Sequence, residues 1–154
     1  MGKNSGWYHR ALFISAFIIL LCVTVYVAMV YGKINTPIPT HFNSSGQADS
    51  YGGKSSLIAQ LGIAWGLYIV LAVVGHFPSL WNTGKAVGTE NKEKSEQISR
   101  TMLSALIFVL SSFFSYSILC AAKNTGLHPV ALPLFIAAVF GIITVSLVRL
   151  VKNG

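Results

Sequence analysis

The apolar and polar positions alternate along this chain in long blocks, and the blocks set its plan. Residues 11–32, 55–84, 101–122 and 124–148 contain no Asp, Glu, Lys or Arg. Each block holds about 20 apolar-dominated residues, the length that a helix needs to span a hydrocarbon core of roughly 30 Å. Transmembrane helices are therefore predicted at 11–31, 56–76, 101–122 and 129–150. They give an all-α integral membrane protein with a single four-helix domain covering 1–154. A cleaved signal peptide is the competing reading of the first block. That block is longer than the usual apolar core of roughly 7 to 15 residues and has no convincing small-residue cleavage site, so an uncleaved helix is expected.

Between the first two blocks, residues 37–54 read Pro-Ile-Pro-Thr-His-Phe-Asn-Ser-Ser-Gly-Gln-Ala-Asp-Ser-Tyr-Gly-Gly-Lys. This island is too polar and turn-rich to lie in lipid, where each backbone polar group must find an internal partner. It forms the centre of a loop at 33–54, at one membrane face. Pro37 and Pro39 stiffen its start, Asn43 and Asp49 are suited to bond nearby backbone, and Gly46, Gly52 and Gly53 permit turns. An ordered loop is expected, with His41 and Phe42 anchoring it on the bundle. Asp49 should pair with Lys54, and Ser55 or Ser56 should cap the second helix.

Charge gives the loop a side. Lys3, Arg10, Lys85, Lys92, Lys94, Arg100, Arg149 and Lys152 share one face of the membrane by this plan, and only Lys33, Lys54 and Lys123 fall on the other. The positive-inside rule then puts both termini and the 77–100 loop in the cytoplasm, and the 33–54 loop on the outward face of the membrane. The net charge of +7 is explained by these helix-end residues. They form no stripe with stacking aromatics, so no nucleic-acid partner is expected.

Thr89 is placed as an N-cap with Glu90 in the first turn of the third helix. Glu90 with Lys94, and Glu96 with Arg100, have the i,i+4 spacing of favourable pairs. This helix should run unbroken for about 30 residues, roughly 45 to 50 Å. Its first turns would then project into the cytoplasm as a solvated end or a surface for a cytosolic regulatory protein. In the second helix, Gly62-Ile-Ala-Trp-Gly66 has the GxxxG spacing that allows close backbone approach, read here as helix packing within the bundle, with a homodimer as the alternative. Ser104, Ser111, Ser112, Ser115 and Ser117 line the third helix, where they either bond to carbonyls or line a polar path. Cys22 and Cys120 differ in predicted depth by about 10 Å or more, too far for a disulfide.

The absences also narrow the chemistry. No span holds an ionisable Asp, Glu, Lys or Arg between its ends, as an ion-coupled transporter usually requires. H-E-x-x-H, G-x-S-x-G, a P-loop and a dinucleotide fingerprint are all missing, and Asp49 is the sole aspartate. No catalytic residue and no cofactor are therefore expected. His41, Asp49 and His128 carry ligand chemistry for zinc on the outer side. Their spacing matches no compact zinc motif, so no metal is predicted and this set stays a minor alternative.

The run Ile38-Pro39-Thr40-His41-Phe42-Asn43, followed by Gly46, Asp49 and Lys54, resembles a bacterial membrane domain of unknown function found at the start of SdpI-type bacteriocin immunity proteins. The resemblance covers roughly 15–67, with a weaker echo at Trp81-Asn82 and Thr89-Glu90-Asn91 extending toward Met102. It implies a role in immunity to a secreted peptide toxin, or in signalling its presence to a cytosolic regulatory protein. The ligand-facing or loop-structuring residues would be Pro39, His41, Phe42, Asn43, Gly46, Asp49 and Lys54, and the inner partner surface Glu90, Lys94, Glu96 and Arg100. Immunity proteins of this type carry a further C-terminal membrane half, whereas four spans are read here. A non-enzymatic membrane protein is the leading expectation. A small-solute transporter or channel using the third-helix serines, and a metal-dependent membrane enzyme, are the alternatives.

Overall fold

The computed structural model describes residues 5–35, 37–77 and 92–152. Among these residues four helices are long and apolar enough to cross a membrane: α1 (Ser5–Val30), α2 (Ser55–His76), α3 (Lys92–Ala122) and α4 (Ala131–Lys152). All four predicted spans are present. Their surfaces carry Ile14, Phe17, Ile63, Leu134 and Phe140 exposed, as expected of helices solvated by lipid and not by water.

Two boundaries and one element differ from expectation. Helix α1 begins six residues before the predicted start at 11 and ends in a 3₁₀ turn at Tyr31–Lys33. The first turns of α1 pack beside α3, where His9 Nδ1 meets Ser104 Oγ at 3.4 Å. The chain is also not purely helical. Between α1 and α2 it forms an antiparallel hairpin of β1 (Ile38–Phe42) and β2 (Ala48–Gly52). Thr89 and Glu90, placed above as cap and first-turn acid of α3, lie outside the described residues, as does Trp81-Asn82.

The four helices do not share the core equally. Helix α3, 31 residues long, is its centre: α1, α2 and α4 each pack along it. Its buried positions include Ser95, Ser99, Leu103, Ile107, Ser111 and Ser115, a repeat of four residues that forms one ridge of the helix. The small serines let neighbouring backbones approach closely. Ser104 and Ser112 donate to carbonyls of their own helix, whereas Ser111 and Ser115 are buried in the packing. Helix α4 buries only Ser146 and is fastened partly by Phe113 stacked on Phe135, ring centroids 4.1 Å apart.

Helices α1 and α2 are spaced by aromatic side chains. Phe17, Trp65 and Tyr68 form an edge-to-face cluster with centroids 5.5 to 6.1 Å apart, and Trp65 Nε1–H donates to Thr24 Oγ1 at 3.0 Å. Thr24 in turn donates to the Leu20 carbonyl at 2.7 Å, so each polar group has a partner in an apolar setting.

Gly62 and Gly66 are not at a helix contact. Both are exposed, and a Cβ built on either meets nothing within 4 Å. The expectation of packing inside the bundle is therefore corrected. The close approach that α3 makes to its neighbours uses serines, and the GxxxG face of α2 points outward. Cys22 and Cys120 are free, as their depths required.

Candidate functional site

The hairpin starts from a turn specified by one side chain. Asn43 Oδ1 accepts the backbone N–H groups of Ser45 at 2.9 Å and Gln47 at 3.0 Å. The Asn43 carbonyl accepts from Gly46 N–H at 2.9 Å, and Asn43 N–H donates to the Gln47 carbonyl at 2.8 Å. An Asn side chain that mimics a backbone turn in this way folds the chain back locally. Gly46 supplies the positive φ of 79° that the reversal needs, a region that costs residues with a Cβ.

This turn docks against the rest of the molecule. The Gly46 carbonyl accepts the Leu127 N–H at 2.8 Å, and Leu127 in the α3–α4 connector is buried. A Cβ at Gly46 would stand 2.4 Å from the Leu127 oxygen, so glycine is required here for space as well as for φ. The connector is itself shaped to reach the turn. Helix α3 ends with Asn124 at φ 55°, Thr125 N–H on the Cys120 carbonyl and Asn124 N–H on that of Ala121, the Schellman closure. Asn124 Nδ2 also reaches the Pro37 carbonyl at 3.4 Å.

The two strands divide their exposure. Ile38 and Pro39 at the start of β1 are fully buried, and Phe42 is half-buried against the helical core. In β2, Asp49, Ser50 and Tyr51 are exposed. Pro39 is tolerated in a strand because a two-stranded sheet has edges where a missing N–H breaks no ladder bond. The register pairs Pro39 with Tyr51, His41 with Ser50 and Phe42 with Ala48, which leaves Thr40 and Asp49 as bulged residues. A bulge re-aims side chains. Here it brings the Asp49 carboxylate to His41, whose Nδ1 donates to Asp49 Oδ1 at 2.6 Å.

Three expectations for the loop are corrected by this geometry. Asp49 pairs with His41 and not with Lys54, whose Nζ lies 5.0 Å over the Tyr31 ring in a cation–π contact. His41 is 69% exposed on its side chain, so the anchors are Ile38, Pro39 and Phe42. Lys54 occupies the N-cap of α2 with no side-chain cap bond, in place of Ser55 or Ser56.

The zinc set does not assemble. The connector does fold toward the hairpin, but through Leu127. The next residue, His128, instead uses Nδ1 to accept the Val130 N–H at 3.4 Å, while its own N–H donates to Tyr116 Oη. Among the described residues no group of three His, Cys, Asp or Glu could hold a metal ion. Of the residues expected to meet a cytosolic partner, Lys94 and Arg100 are exposed and Glu96 is half-buried on the head of α3, while Glu90 lies outside the described residues.

No curated protein matches the chain, and no solved structure does. Residues 18–64 match the family model of a domain of unknown function, DUF1648. The matched stretch begins within α1, takes in the whole hairpin and ends in α2.

Proposed function

We propose that this is a non-enzymatic receptor of the bacterial cytoplasmic membrane, with both termini inside, whose outer hairpin receives a secreted peptide for immunity or signalling. The observation that carries this reading is the asymmetry of the hairpin. Strand β1 is packed on the bundle, while β2 runs along the rim with Asp49, Ser50 and Tyr51 exposed. An exposed strand edge takes an extended peptide by strand addition: main-chain bonds supply affinity, and side chains flanking the edge supply selection. The His41–Asp49 pair and Tyr51 are the groups placed to select.

The same anchoring gives the peptide a route inward. Strand β1 packs on α3, and α3 runs from the hairpin to Lys92 at the opposite end, about 46 Å at 1.5 Å per residue. A peptide that favours one seating of the hairpin would bias the head of α3, where Lys94, Glu96 and Arg100 face a cytosolic regulatory protein. Such coupling requires two bundle states with different affinities for the peptide.

Toxin challenge of cells expressing the protein tests the reading. Wild type is expected to protect, and His41→Ala and Asp49→Asn to lose protection at matched membrane levels. Wild type that protects against no cognate or coexpressed peptide removes immunity. Labelling of a cysteine at Ser45 in intact cells tests the orientation, and labelling only after lysis reverses it.

A further inference from the structure

At the end of the molecule away from the hairpin, α1, α2 and α3 line an open cavity of about 720 Å³, within the roughly 300 to 1,000 Å³ of small-molecule sites. Its walls are apolar, with Phe13, Ile14, Ala72, Val73 and Leu103 among them, and its polar side carries His9, Arg10, His76 and Arg100. Among the described residues no carboxylate lines it. The cavity exists because α1 packs along α3 while aromatic side chains hold α1 and α2 apart, down to Phe13 and Tyr68 at a centroid distance of 5.7 Å, and the space from there to His9 and His76 is open.

Two features fix its surroundings. Ile14 and Val73 on its walls are 58% and 46% exposed, so the cavity opens sideways between α1 and α2 onto the hydrocarbon. Trp7 and Tyr8 stack at a centroid distance of 3.7 Å, more than half exposed, next to His9 and Arg10. Exposed Trp and Tyr mark the level of lipid headgroups, so the basic side of the cavity stands where phosphates are and its apolar side where acyl chains are.

We propose that this cavity is a binding site for an anionic phospholipid, with the phosphate between Arg10 and Arg100 and an acyl chain along Phe13, Ile14, Ala72 and Val73. Arginine suits the first role because its planar fork of donors matches phosphate oxygens. Basic pockets between membrane helices bind anionic headgroups by this chemistry. The lateral opening favours a lipid over a free phosphate ion, which would have no use for the apolar walls. Occupancy would tie α1 to α2 at the end where the protein itself leaves them apart.

Native mass spectrometry of the full chain tests this, with phosphatidylglycerol and phosphatidylcholine of identical acyl chains supplied in equal amounts. Wild type is expected to retain phosphatidylglycerol roughly tenfold better, and the double variant Arg10→Gln with Arg100→Gln to lose that preference. Gly75→Leu keeps both arginines. A Cβ at Gly75 lies 3.9 Å from the ends of the Leu103 and Phe13 side chains, so the longer side chain enters the cavity and should expel the lipid. Equal retention of the two lipids by wild type overturns the proposal without any variant. So does an unchanged preference in folded double variant, or displacement of the lipid by millimolar inorganic phosphate, which would mark an ion site.

Discussion

Gly46 is held by two constraints that act independently. Its φ of 79° disfavours a Cβ by about 1 to 2 kcal/mol, and the Leu127 oxygen would stand 2.4 Å from that Cβ. Gly53 lies a few residues on in the same polar island without either constraint, its nearest atom being Ser55 Oγ at 3.7 Å. Gly46→Ala is therefore expected to lower stability by about 2 kcal/mol or more, and Gly53→Ala by less than half as much. Thermal unfolding of both variants in the same detergent checks the difference, and equal losses would remove Gly46 from its place in the fold. The role of Gly46 was legible in the sequence as turn chemistry, as was that of Asn43. The partner of Asp49 was not, because Lys54 is the nearer opposite charge along the chain. Only the strand register, with bulges at Thr40 and Asp49, brings His41 alongside.

At the scale of elements, the four helices could be read from apolar block length, since lipid leaves the backbone no other open choice. The hairpin was missed for a physical reason. Pro39, Asp49 and Gly52 each lower strand propensity, and the tertiary contact of Ile38 and Pro39 with the bundle outweighs it. Helix contacts were misread in the opposite sense: GxxxG looked like the packing motif, while the buried ridge of α3 is built from serines and large aliphatics at a spacing of four. Two sets of variants separate these faces. Ser115→Leu is expected to destabilise the fold by about 1 to 3 kcal/mol, because a larger side chain has no room there. Gly62→Leu and Gly66→Leu should leave thermal stability nearly unchanged in the monomer, since a Cβ on either meets nothing within 4 Å. Loss of a dimer in the glycine variants, by crosslinking or sedimentation, would assign the outward face to a second copy of the chain. A fall in monomer stability equal to that of Ser115→Leu would contradict the packing described here.

For the whole molecule, the hairpin stands at one end of α3 and the cavity at the other. The hairpin depends on a contact that joins distant parts of the chain: Leu127 from the α3–α4 connector is buried and bonded to Gly46 at its tip. Shortening Leu127 removes the buried side chain but keeps the backbone bond, so the hairpin should lose its clamp without losing its own turn, which Asn43 closes locally. Leucine to alanine at a buried site costs about 2 to 5 kcal/mol. Here that cost should fall on the local opening of the hairpin, because Leu127 is bonded to Gly46 at the hairpin tip while α1 packs directly on α3. Leu127→Ala is thus expected to speed amide hydrogen exchange across residues 38–52 by at least about tenfold, with exchange in α1 unchanged. Equal acceleration in both regions would show that the hairpin and the bundle open as one unit. The hairpin could not then move between seatings while the helices stay folded, and the proposed route from an outer peptide to the head of α3 would fail with it.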